Sequence, residues 1–266
     1  MDLTTLHDYS DELVKRLHLR TYPLAVKLIE REDQIPQEAM RPMRDEGYHY
    51  DLCQAFALCR REGTTVALLI DDMWCFEPVI GYGMAEPPKD FLDGKNRYPR
   101  DVASLEAGSH YAADMPKIPA GKYIGVVAAP LGTTSVMPDV VALYVDSEQL
   151  SLLLLAREHK DGHDLSLHLS SHAACVYGIV PSMKSGECNV AIPCRGDHYF
   201  AMAGNDEMIF SMPLAKVDEI MTGLRFLETN DSRIPKTYKM QREPLHPDIY
   251  HAIAAQLGMA SKRTKD

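Results

Sequence analysis

Cysteine is the residue type in this 266-residue chain with the most chemistry to offer. There are six, and four recur in a pattern: Cys53 and Cys75 are 22 positions apart, Cys175 and Cys194 are 19 apart. In each pair one cysteine lies near an expected helix start and the other just beyond the next expected strand. Four converging thiolates are what soft metals and iron–sulfur clusters require, because sulfur donates well once its proton is lost. No Cys-x2-Cys occurs, so the zinc-ribbon, ferredoxin and thioredoxin spacings are missing. Cys59 and Cys188 fall outside the pattern and read as small buried hydrophobes.

The densest polar cluster is Cys194-Arg195-Gly196-Asp197-His198. A thiol beside Arg195 is expected to have a lowered pKa. Arg195 and His198 are also candidates to hold an anionic cofactor or ligand. The plainer reading of the same stretch is a strand-to-loop turn with Gly196 flexible and Asp197 exposed. His168 and His172, four apart, would share a face on a helix, but no Glu follows His168 to make a His-Glu-x-x-His site. Surface histidines are the simpler assignment, with His172 a candidate partner for Cys175. There is no Gly-x-Ser-x-Gly, dinucleotide fingerprint or Walker sequence.

Composition narrows the class. Net charge is −10, 45% of residues are hydrophobic and 25% charged, as in an ordinary globular protein. The acidic balance argues against nucleic acid, since the only basic cluster is Lys262, Arg263 and Lys265 at the C-terminus. The longest apolar run, Leu152 to Ala156, is far too short to span a bilayer, and the N-terminus does not read as a signal peptide. A cytoplasmic location, with cysteines as thiols or metal ligands, is therefore expected.

The elements that must position these residues follow from periodicity. Helices are expected at the N-terminus (Leu13, Leu17, Leu19), over Tyr50 to Arg61 with Gly63 as C-cap, and from Ser147 to Lys160. Further helices are expected over Ser170 to Tyr177, Leu214 to Glu228 and His246 to Leu257. Strands are expected at Leu24–Ile29, Thr64–Ile70, Lys122–Pro130, Val140–Asp146, Cys188–Ile192 and Met208–Met212. A second helix is expected within Asp71 to Tyr82. Residues 84–122 read as a surface excursion with a helical lid around Tyr98 to Tyr111. Gly132 to Ser135 reads as a turn.

This predicts an α+β fold, a mixed sheet with flanking helices, in one domain over 1–266. Within it, two pseudo-repeated halves, 20–130 and 138–230, precede a C-terminal helix and tail, 244–266. The amphipathic face of Leu214–Glu228 is assigned to the core, with a homo-oligomer contact as its alternative.

The chain also resembles the domain-of-unknown-function 169 family, widespread in anaerobic bacteria and archaea. The resemblance rests on Pro23-Leu24-Ala25-Val26-Lys27, on Cys53 opening a helix that ends at Gly63, and on Cys75 before Gly81-Tyr82-Gly83. It continues through Cys175, Cys194-Arg195-Gly196, and Asp206-Glu207-Met208 leading to Ser211-Met212-Pro213. Members often have Gly-Cys after the strand and a second Cys-Arg nearby, whereas this chain has Pro193-Cys194-Arg195 alone. The family name carries no activity.

The leading functional expectation is a protein of anaerobic metabolism holding an iron–sulfur cluster or other soft metal on Cys53, Cys75, Cys175 and Cys194, with a redox or electron-transfer role. Its partners would be a small-molecule ligand or a redox partner, not nucleic acid or membrane. The alternative is a non-catalytic binding protein for a small anionic or aromatic ligand. Its pocket would lie between the halves, gripped by Arg195 and His198 and walled by Met202, Trp74 and Tyr82. A third reading makes Cys194 a nucleophile activated by Arg195 or His198.

Overall fold

Six short segments rich in β-branched and small apolar residues form one sheet in the computed structural model, which describes residues 1–230 and 247–258. They are β1 (Leu24–Ile29), β2 (Val66–Leu69), β3 (Gly125–Pro130), β4 (Val140–Val145), β5 (Asn189–Ala191) and β6 (Met208–Pro213). Their spatial order is β2-β3-β1-β4-β6-β5, so each half supplies three neighbouring strands with its last strand in the middle. Every ladder is antiparallel, where the sequence had suggested a mixed sheet: Val26 faces Ala128 on one side and Val140 on the other, and Ala142 faces Ser211. The two isolated parallel bridges, Met40 to Val66 and Tyr50 to Met73, add no strand.

The helices are α1 (Leu3–Leu17), α2 (Pro42–Asp45), α3 (Leu52–Ala57), α4 (Phe76–Gly81), α5 (Lys89–Leu92) and α6 (Leu105–Asp114). They continue with α7 (Ser147–Glu158), α8 (Ala174–Ser185), α9 (Arg195–Phe200), α10 (Val217–Thr229) and α11 (Asp248–Gln256). Alternation along the strands sends residues to opposite faces, and both faces are covered. Val26, Val66, Ala128, Val140, Ala142 and Tyr144 meet side chains of α3, α4 and α8. Ala25, Val141, Leu143, Val190 and Phe210 meet Leu6, Leu13 and Leu17 of α1, together with α7 and α10. The result is an α+β architecture of three layers.

The helix starts are set locally. Asp2 accepts from the Thr5 N–H at 2.9 Å to cap α1, and Asp146 accepts from Glu148 and Gln149 to cap α7. Val217, Ile220, Met221 and Leu224 of α10 are buried, so its apolar face belongs to the core. Gly223 lets α10 approach α7 closely: a Cβ there would lie 2.1 Å from the Ala156 carbonyl oxygen.

Several expectations are corrected. The helix expected over Ser170 to Tyr177 begins only at Ala174, because Ala173 is left-handed (φ 45°), and it runs on through Pro181 to Ser185. Pro181 has no N–H for the Tyr177 carbonyl, and Asn189 Nδ2 donates to that oxygen instead, at 2.7 Å. His168 and His172 therefore share no helix. Residues 84–122 are more than a surface excursion, since Phe91 and Arg97 are buried and the helix lies at Leu105–Asp114.

The chain divides into two units, Met1–Ile234 and Pro235–Asp266. Of the second, α11 is described, with Ile249, Ile253 and Leu257 exposed along it. His246, Lys262, Arg263 and Lys265 lie outside the described residues. Among the described residues no helix is long and apolar enough to cross a membrane.

Candidate functional site

Each of the four patterned cysteines sits at a helix start. Cys53 is the second residue of α3, Cys75 precedes α4, Cys175 is the second residue of α8, and Cys194 precedes α9. Local folding explains this in both halves. The α3 helix widens into a π-helical turn over Leu58–Glu62 and stops at left-handed Gly63 (φ 77°) before β2. Beyond β2 the chain turns through Cys75 into α4. Similarly, α8 ends at left-handed Gly186 before β5, and Pro193-Cys194 then leads into α9.

All four cysteines line one cavity of about 1030 Å³, together with Arg195 and His198. Asp51, Glu77, Arg97, Arg100, Asp101, Ser171, His172 and Asp197 complete much of its wall. Cys53 and Cys194 both lie beside Gly196: a Cβ added there would sit 3.9 and 3.6 Å from their sulfurs. Cys59 and Cys188 are buried elsewhere in the core, Cys59 bonded to the Ala128 carbonyl at 3.1 Å. Among the described residues no three His, Cys, Asp or Glu side chains stand close enough together to hold a single metal ion.

A carboxylate holds the thiol hydrogen on two of the walls. Cys75 Sγ donates to Glu77 Oε2 at 2.9 Å, and Arg97 donates to Glu77 Oε1 at 2.7 Å. Arg97 also donates to the Tyr111 hydroxyl at 2.9 Å and to Asp101 at 3.0 Å, and its guanidinium lies 4.3 Å from the Tyr111 ring centroid. The His172 ring makes a T-shaped contact with that same tyrosine. On the opposite chain segment, Cys194 Sγ donates to Asp197 Oδ2 at 3.0 Å, and Tyr144 donates to Asp197 Oδ1 at 3.1 Å. Arg60 lies 3.9 Å from the Tyr144 ring centroid and pairs with Glu207 at 3.0 and 3.1 Å. Both thiol–carboxylate pairs are thus backed by a tyrosine and an arginine in cation–π contact.

The electrostatics of the fold favour neutral thiols. Burial pushes Cys53, Cys75 and Cys175 well above the ordinary thiol value, with Asp197, Asp51 and Glu77 adding to it. Burial and then Asp197 push Cys194 up to about 11. The lowered value expected from Arg195 is therefore reversed: the exposed guanidinium is dominated by burial and the adjacent carboxylate. Asp197 is fully buried, not exposed as the turn reading had it. Burial lowers the pKa of His172, with Arg97 adding to it, which favours its neutral ring. Asp51 is also raised by burial, and its Oδ1 has no hydrogen-bond partner.

Of the apolar walls expected, none lines the cavity. Tyr82 is buried and donates to the Cys175 carbonyl at 2.9 Å, while Trp74 and Met202 are exposed. Tyr199 and Phe200 take that place at the lip. Asp51, Glu77 and Arg97 went unrecognised in the sequence. The Cys-x-Glu spacing of Cys75 and Glu77 was a usable signal for a carboxylate beside a thiol. Nothing local marked Arg97.

The chain belongs to the DUF169 family, described as uncharacterised ArCR, whose model matches residues 12–223. No curated protein and no solved structure matches it.

Proposed function

We propose that the protein holds an iron–sulfur cluster, or another soft metal centre, on Cys53, Cys75, Cys175 and Cys194, and that this centre serves a redox or electron-transfer role. The observation that carries the reading is the convergence of these four thiols, from four helix starts, on one cavity. Thiolate sulfur is the donor such centres take. A single ion draws its ligands to within about 2.3 Å of one point, whereas a cluster carries its own bridging sulfides and spreads its cysteines apart. When bound, the centre supplies one-electron chemistry.

The protein's own groups prepare the thiols. Glu77 and Asp197 accept the hydrogens of Cys75 and Cys194 and so orient both sulfurs. Arg97 and Tyr144 hold those carboxylates from behind. Ligation requires loss of the thiol protons, and the backbone dipoles at the helix starts favour the resulting negative charge. The raised thiol pKa values keep these sulfurs protonated in the absence of a bound cation. The recurrence of a cysteine-bearing helix, a strand and a second cysteine in both halves is consistent with descent from a duplicated unit.

The test is purification without oxygen, followed by visible absorption and electron paramagnetic resonance of the reduced and oxidised protein. A broad visible absorption that is lost in Cys194→Ala and Cys175→Ala is expected. Colourless protein that carries neither iron nor any other transition metal, from cells fully supplied with iron and sulfide, would overturn the proposal.

A further inference from the structure

We infer that the same cavity binds a small organic oxyanion, a carboxylate or phosphate attached to a flat apolar group, with Arg195 gripping the anion. The inference rests on the proposed centre only in sharing its cavity, since it uses none of the four thiols. Room is the first argument: about 1030 Å³ is the size of a pocket for a whole small molecule, far more than four sulfur ligands need.

Charge is the second. Most carboxylates of the wall already have partners: Glu77 and Asp101 are held by Arg97 and Arg100, and Asp197 by Tyr144 and Cys194. Arg195 is different. It lines the cavity yet makes no ion pair among the described residues, and its contact is with the ring of Tyr199, at 5.2 Å. Arg97 Nε, buried in the same wall, also has no hydrogen-bond partner. A guanidinium presents a planar fork of donors that matches a carboxylate or phosphate. Shape is the third argument. Tyr199 and Phe200 line the cavity while remaining 70% and 61% exposed, which gives a flat organic group two aromatic surfaces beside the anion.

Calorimetric titration of the full chain with benzoate, phenyl phosphate and the neutral benzyl alcohol tests this. At least one of the two anions should bind, benzyl alcohol should not, and the tighter anion names the oxyanion class. Arg195→Gln should weaken anion binding about tenfold or more, the worth of one charge-assisted pair, while Arg195→Lys loses less. Arg195 is exposed, so both variants should fold, which their unfolding midpoints verify. Failure of both anions to bind, equal binding of benzyl alcohol, or affinity unchanged in Arg195→Gln would each overturn the inference. Metal content, measured on the same samples, separates the two claims. Arg195-dependent binding by protein free of iron and of every other transition metal sinks the metal reading alone, and metal-loaded protein that ignores both anions sinks this one alone.

Discussion

The pair Arg60–Glu207 offers a sharp test of how the Cys194 wall is built. The two side chains are 1% and 6% exposed and meet through two contacts, at 3.0 and 3.1 Å. At that separation, with an effective dielectric of about 20, the attraction is on the order of 5 kcal/mol, set against a desolvation cost of similar size. Arg60→Met removes the cation, leaves Glu207 buried with the Gly204 N–H at 2.8 Å, and strips the Tyr144 ring of its guanidinium. It also removes the donor to the Ala201 and Met202 carbonyls. The expected loss of stability is about 3–5 kcal/mol, mostly the cost of the orphaned carboxylate. Replacing both partners, Arg60→Met with Glu207→Leu, should recover most of it, to within about 1.5 kcal/mol of the parent. Urea unfolding of the four proteins in the cycle gives the coupling directly. A single variant costing under about 1 kcal/mol, or a double variant no more stable than Arg60→Met, would refute the claim that this pair is a buried charge-compensated unit.

Other expectations follow from the same geometry. Gly223→Ala drives a Cβ into the Ala156 carbonyl and should cost about 1–3 kcal/mol or more, seen as a lowered melting temperature; an unchanged one would deny the close packing of α7 on α10. Burial pushes both Cys59 and Cys188 up to about 12. Their folded values lie above the unfolded thiol value of about 8.5, so their contribution is complete below that pH and is lost as pH rises toward 12. The urea midpoint should therefore fall between about pH 8 and pH 11, and fall less in the Cys59→Ala, Cys188→Ala double variant; a flat profile would contradict the burial of these thiols. Cys59→Ala and Cys188→Ala should each leave bound iron unchanged, and loss of iron in either would move the donor set.

The sheet was highly legible in the sequence because its strands are apolar runs bounded by turn residues. Leu24–Ile29 matches β1 end to end, and the others shift by at most a few residues. Gly63 ended its helix as the lone residue free to turn left-handed there. Less legible were features decided by distant partners. The helix expected to end at Tyr177 runs on through Pro181 to Ser185, because Asn189, eight residues beyond the proline, takes up the carbonyl it frees. The antiparallel character of the sheet depends on connections that no local pattern records. For the site, the spacing of Cys53, Cys75, Cys175 and Cys194 was enough to single out the four thiols that line the cavity. The protonation of Cys194 was misjudged because Arg195, next in sequence, is exposed while Asp197, three positions on, is buried against the sulfur. Arg97 comes from a Pro- and Gly-rich segment without periodicity, and only tertiary structure brings it to Glu77.

The central claim concerns four sulfurs acting on one centre. Its most direct test is the iron and acid-labile sulfide content per chain of protein purified without oxygen, measured for the parent and for alanine variants of each of the six cysteines. Comparable iron and sulfide in the parent, lowered in all four variants at Cys53, Cys75, Cys175 and Cys194 and retained in those at Cys59 and Cys188, is the predicted result. Parent protein free of iron and sulfide, or a loss that fails to separate the four cavity cysteines from the two core ones, would contradict it.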